Sequence, residues 1–179
     1  MVAYGPENVK QHFAAFDTIC DATQVRQDAV NELSELSLDV AAGTQLDFIL
    51  VVGGWDSSNT CHLLEIPHER GLLGYHVNTA QCIRPDNSIE HRDVEGNVLV
   101  TNDFLAFDRP VRIGVTSGAS TPDSVVQECL EQISLLKKLG EASQLASEGG
   151  EASQLASEPA QAGVSSVLSW YDQGQRLSR

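Results

Sequence analysis

Three short stretches of this 179-residue sequence gather hydroxyls, an amide and a thiol at spacings where chemistry is possible. The first holds Thr18, Cys20 and Thr23, the second Ser57, Ser58 and Asn59, the third Thr116, Ser117, Ser120 and Thr121. Hydroxyls and an amide suit a phosphate or diphosphate when free backbone N–H groups accompany them, because none of the donors needs a charge. Cys20 suits a different task. A thiol at a helix start has a lowered pKa and favours thiolate, the form that ligates metal or attacks an electrophile. The plain alternatives are N-capping by Ser, Thr and Asn, and a buried structural cysteine. For one turn alone capping is the better account, but three such turns on one sheet edge raise an anion site to an equal footing. Cys61 and Cys129 fall inside predicted helices as core residues, and Cys82 belongs to no motif. His12, His62, His68, His76 and His91 lack ligand spacing and read as surface or internally satisfied residues.

The segments around these stretches repeat one plan. Asp17–Cys20 precedes a helix that carries Ala22, Val25, Ala29, Leu33 and Leu36 on one face. Phe48–Val52 is a continuous apolar run, as in a buried parallel strand. Gly53–Asn59 makes the turn after it, and a helix from about Thr60 carries Leu63 and Leu64 until Pro67 ends or kinks it. Val111–Val115 is a third strand and Thr116–Thr121 its turn. Pro122 opens a helix with Val125, Val126, Cys129, Leu130, Ile133 and Leu136 as its stripe. Between them Tyr75–Val77 reads as a short strand, and Ile83–Leu105 as a polar surface excursion with a hairpin near Gly96. The alternation predicts an α/β fold with a mainly parallel sheet and flanking helices. Ligands in such sheets bind beyond the carboxyl ends of the strands, where all three turns lie.

Composition narrows the function classes. Eleven Lys and Arg stand against 25 Asp and Glu, a net charge of −14, which disfavours nucleic acid and anionic membranes as partners. No apolar run reaches the roughly 20 residues of a membrane helix. Met1–Pro6 has neither the basic region nor the apolar core of a secretory signal, and it lacks the Arg- and Ser-rich character of a transit peptide. Four well-separated cysteines suit reduced thiols. The phosphate-binding loop of NTPases, the dinucleotide fingerprint and the serine-hydrolase elbow are all missing. Residues 1–16 form a lead-in, 17–140 the α/β domain, and 141–179 a low-complexity tail. In that tail Glu141–Glu148 and Glu151–Glu158 both read EASQLASE, with little to bury, and Val164, Val167, Leu168 and Tyr171 fall at helical spacing beyond them.

The same turns carry a family resemblance. Thr18–Gln24 with Arg26–Ala29 resembles the third cluster-cysteine motif of the plant and cyanobacterial 4-hydroxy-3-methylbut-2-enyl diphosphate reductases. Val51–Thr60 resembles their Ser-Ser-Asn diphosphate motif, and Gly114–Asp123 their closing serine motif. Tyr4–Val9 with His12 and Phe13 also resembles that branch, so the likeness runs from about residue 4 to 138. It implies the last of three similar α/β domains around a [4Fe-4S] cluster. Cys20 would then be one cluster ligand, and Ser57, Ser58, Asn59 and Ser120 would hold the substrate diphosphate, with Thr23 lining the same pocket. The proton-donating glutamate and the other cysteine ligands would lie in N-terminal domains missing from this chain, which leaves no catalytic residue here and predicts that this piece alone is inactive. The implied activity is reductive dehydration of (E)-4-hydroxy-3-methylbut-2-enyl diphosphate to isopentenyl and dimethylallyl diphosphate, with ferredoxin as electron donor. The compartment implied is a plastid stroma or a cyanobacterial cytoplasm. Asp56 stands where that branch has asparagine, and Pro67 interrupts a helix continuous in the branch. The competing expectation is a non-catalytic diphosphate-binding or interaction module derived from such an enzyme.

Overall fold

The computed structural model of the chain describes residues 20–39, 41 and 43–148. Thr18, the lead-in and the segment carrying Val164–Tyr171 lie outside the described residues. The elements in order are α1 (Asp21–Leu38), β1 (Phe48–Val52), α2 (Ser58–Glu69), β2 (Gly74–Val77), one 3₁₀ turn (Ala80–Cys82), β3 (Ser88–Arg92), β4 (Val98–Asn102), β5 (Ile113–Ser117) and α3 (Asp123–Glu148).

They form one five-stranded sheet in the order β4-β3-β2-β1-β5. β1 pairs in parallel with β2 on one side and β5 on the other, and β3 and β4 extend the sheet as an antiparallel hairpin. The expected parallel α/β layer is therefore the centre of a mixed sheet. All five residues of β1 are buried because both faces are covered. Phe48, Leu50 and Val52 face Val126, Cys129, Ile133 and Leu136 of α3. Ile49 and Val51 face Val30 of α1 and Leu63 and Leu64 of α2.

Four expectations need correcting. Of the expected face of the first helix, Ala22, Val25, Ala29 and Leu36 are exposed, with Val25 at 51%, Leu33 is half-buried against the core, and the fully buried residues are Val30, Ser34 and Ser37. α1 packs directly on α2, and Ser37 Oγ accepts from Leu46 N in the segment leading to β1. The Ile83–Leu105 segment is no surface excursion. Ile83, Ile89, Phe104 and Leu105 enter the core, and the Asn87 side chain ties the segment to both the N–H and the carbonyl of Leu105. β5 starts two residues later than expected, since pairing with β1 sets Val51 against Thr116 and Val52 against Ser117, drawing both hydroxyl residues into the strand. Cys61, expected in the core, is only half-buried, whereas His76 and His91 are buried and each bonds through Nε2, as internally satisfied histidines do. Elsewhere the elements agree. Pro67 lies in the last turn of α2, and its carbonyl accepts from Arg70 and Leu72 as the helix stops. α3 continues past Gly140 to Glu148, and the aromatic ring of Phe107 sits against Gly140.

Candidate functional site

β1 is the point at which the strand order reverses: the chain moves to β2 on one side and later returns to β5 on the other. Its first helix, α2, covers one face of the sheet and α3 covers the opposite face. Loops leaving adjacent parallel strands toward opposite faces open a crevice at the strand ends. Here the loops are Gly53–Ser57 and Gly118–Pro122.

The two loops are in contact. Gly118 N donates to Val52 O at 3.0 Å and Thr121 Oγ1 donates to the same carbonyl at 3.2 Å. A Cβ added at Gly53 would lie 2.8 Å from both Thr60 Oγ1 and Thr121 Oγ1, and one at Gly118 would lie 2.4 Å from Thr60 Oγ1. Only glycine fits at either position. Ser57 caps α2, accepting from Thr60 N at 3.4 Å, so its hydroxyl hydrogen remains available to a ligand. Ser58 and Ser120 are exposed, and Ser58 with Trp55, Asp56, Cys61, His62, Glu65 and Arg92 lines an open depression of about 420 Å³.

Buried polar groups without partners collect here. Among the described residues six side-chain N or O atoms are buried without a hydrogen bond: four of them, Trp55 Nε1, Asn59 Oδ1, Thr60 Oγ1 and His76 Nδ1, belong here, while Ser34 Oγ and His91 Nδ1 lie elsewhere. Native structures leave few such groups, because each costs about 1–3 kcal/mol. Three of the four lie within six consecutive residues that end one loop and start α2. The Asn59 amide exchanges its O and NH₂ ends by a half-turn, so its buried end can present a donor. With the positive end of the α2 dipole beside them, these atoms favour an anion.

Cys20 stands at the N-terminus of α1, exposed, with its carbonyl accepting from Thr23 N at 2.9 Å and Gln24 N at 3.1 Å. Its Sγ is 3.0 Å from Thr23 Oγ1. The Thr23 hydroxyl, then the Thr23 N–H, hold this thiol below its ordinary range, against a small opposing effect of burial. Thr23, expected beside the diphosphate, thus directs its hydroxyl at the sulfur. Glu35, near the end of α1, pairs with Arg70, just past the end of α2, at 3.9 Å, so these two helix ends lie close together. The remaining cysteines point elsewhere. Cys82 and Cys129 are buried in the core, where burial and the nearby Cys82 push Cys129 up to about 12, and Cys61 donates to Trp55 O at 3.6 Å. Among the described residues, no three His, Cys, Asp or Glu side chains converge to hold a metal ion. No described helix is long and apolar enough to cross a membrane.

The family model described as LytB protein matches residues 2–134. The chain belongs to the LytB family. It is similar to the 4-hydroxy-3-methylbut-2-enyl diphosphate reductase of Thermosynechococcus vestitus, 46% identical over 140 residues, which covers 78% of this LytB chain and 33% of that protein. It is also similar to the chloroplastic 4-hydroxy-3-methylbut-2-enyl diphosphate reductase of Botryococcus braunii, 53% identical over 131 residues, covering 73% of this chain and 26% of that one. A solved structure of (E)-4-hydroxy-3-methyl-but-2-enyl diphosphate reductase aligns with a TM-score of 0.43 at 27% identity, over 65% of this chain and 32% of that one. This LytB chain thus spans about a third of the length of the curated relatives it matches. One residue beside the site had no signal in the sequence: His76, a lone histidine in a strand.

Proposed function

We propose that the chain is the part of a 4-hydroxy-3-methylbut-2-enyl diphosphate reductase that holds the substrate's diphosphate group and contributes one thiolate to its iron–sulfur cluster. The observation that carries this reading is the concentration of unpartnered buried polar groups at the start of α2, beside Ser57, Ser58, Asn59 and Ser120. Neutral donors that are already oriented bind an anion with little reorganisation, which also fixes the reacting end of the substrate in space. Cys20 fits the role of a cluster ligand: it is exposed, at a helix start, and eased toward thiolate by Thr23. Cys61, Cys82 and Cys129 do not fit it, so the remaining ligands come from outside this chain. When bound, a [4Fe-4S] cluster supplies electrons and a Lewis-acidic iron for the allylic oxygen. The proton donor, the other domains of the enzyme, and ferredoxin as electron donor are further parts of this reading. So are a plastid stroma or cyanobacterial cytoplasm as its setting, and the division into lead-in, 17–140 domain and tail.

Titration of the ¹⁵N-labelled chain with inorganic diphosphate tests it. Amides of residues 54–60 and 118–121 should shift together with a Kd near a millimolar, since much of the full enclosure is absent. Shifts scattered elsewhere, or none at high concentration, would refute the site.

A further inference from the structure

Two side chains from outside the serine turn grip its backbone. His76 on β2 is fully buried, and its Nε2 lies 3.0 Å from Gly53 O. A carbonyl only accepts, so Nε2 carries the proton and the buried, unpartnered Nδ1 carries the lone pair. Arg92, which ends β3, sends Nη1 to Trp55 O and Nε to Gly96 O at 3.0 Å. The same Nη1 lies 3.6 Å from Asp56 Oδ1. His76 and Arg92 are the register partners that join β2 to β3, so one cross-strand pair supplies both grips.

We infer that the His76–Arg92 pair positions the anion-binding turn by holding the carbonyls of Gly53 and Trp55 against donors on the hairpin side. A trans peptide points its C=O and the next N–H in opposite directions. Fixing Gly53 O and Trp55 O therefore turns the N–H groups of Gly54 and Asp56 away from the clamp. It also keeps two negative carbonyl ends engaged, where a free carbonyl would repel an anion. The Arg92 guanidinium is committed to two carbonyls and one carboxylate, which makes it a positioning residue and not a phosphate ligand. Asp56 gains a purpose by the same contact: its negative charge beside the site is paired with Arg92 on the outside of the turn.

This inference rests on the reading of the turn as a diphosphate site, and one set of proteins separates the two. The full 179-residue chain and four variants are titrated with inorganic diphosphate by NMR, with a thermal melt of each. His76→Leu removes the donor, whereas His76→Gln places an amide N–H₂ where Nε2 was. Arg92→Met removes the fork, whereas Arg92→Lys keeps the charge but cannot reach two carbonyls. Affinity should fall about tenfold in His76→Leu, Arg92→Met and Arg92→Lys, the equivalent of one hydrogen bond. His76→Gln should stay within about threefold of the parent. The His76 imidazole should show the Nε2–H tautomer in long-range ¹⁵N spectra of the ligand-free chain. Full affinity in Arg92→Lys would mean that charge alone matters, and equal affinity in His76→Leu and His76→Gln would remove the histidine's role. Either result overturns the clamp. Should His76→Leu fail to fold, the Arg92 pair decides. A parent chain unmoved by diphosphate would instead overturn the anion site, and the clamp's purpose with it.

Discussion

Gly118→Ala tests the packing on which the crevice depends. The added Cβ would lie 2.4 Å from Thr60 Oγ1 and 3.1 Å from Thr121 Oγ1. Neither neighbour yields easily. Thr60 is 1% exposed at the start of α2, where a β-branched side chain has few rotamers, and Thr121 Oγ1 is bonded to Val52 O. The relief must come from the backbone of the Gly118–Thr121 turn, at a cost of about 1–3 kcal/mol. For a domain of this size that is a fall in Tm of roughly 3–12 °C. Thr60→Ala removes the offending oxygen and leaves Thr60 Cβ 3.6 Å from the new methyl, an ordinary contact. In that background only the milder 3.1 Å contact with Thr121 Oγ1 remains, so Gly118→Ala should cost about 1 kcal/mol less than in the parent, which is the coupling between the two sites. Urea and thermal melts of the parent, both single variants and the double variant measure it. An equal cost in both backgrounds, or none in either, would show that the loops are not locked through Thr60.

Burial lowers the pKa of both His76 and His91, so protons prefer the unfolded chain, where histidine titrates near 6.5. Stability should therefore be full above about pH 6.5 and decline as pH falls toward the lowered folded values; melts between pH 7.5 and 5.5 should show this, and His76→Gln should flatten the slope. Iodoacetamide at neutral pH should label Cys20 well before the other three cysteines, and Thr23→Val should slow that labelling several-fold by removing the hydroxyl that stabilises thiolate. Mass spectrometry of timed digests reads it, and equally fast labelling of Cys82 or Cys129 would contradict the burial described. Gly140→Ala should destabilise by about 0.5–2 kcal/mol although alanine is the better helix former by nearly 1 kcal/mol, because the new Cβ would meet the Phe107 ring at 2.3 Å. Stabilisation in a urea melt would mean the ring moves aside freely.

Sequence patterns revealed the parts of the fold in which burial and hydrophobicity coincide. The run Phe48–Val52 is apolar on both faces because both are covered, and the α3 stripe is buried at Val126, Cys129, Ile133 and Leu136. The pattern misled on α1. There Ser34 and Ser37 are buried in place of the expected apolar stripe, and Ser37 Oγ accepts from Leu46 N, a use of the helix face that apolar periodicity does not mark. It misled again on the hairpin, where a few apolar residues among many polar ones still complete the core. At the site, the residue types at the turns were legible, because helix starts, glycines and hydroxyls lie close in sequence. The grip of His76 on Gly53 and of Arg92 on Trp55 spans 23 and 37 residues, a separation no local spacing encodes.

The outer strand β4 has a practical consequence. Val98, Leu99 and Val100 are 50%, 45% and 49% exposed on the last strand of the sheet, and β4 carries neither the lysine nor the proline that commonly guards such an edge. Another copy can add a strand there, and what opposes this at neutral pH is mutual repulsion between chains of net charge −14. That repulsion vanishes near the isoelectric point of about 4.5. Solubility should therefore have its minimum there, and the precipitate should be rich in intermolecular β-structure.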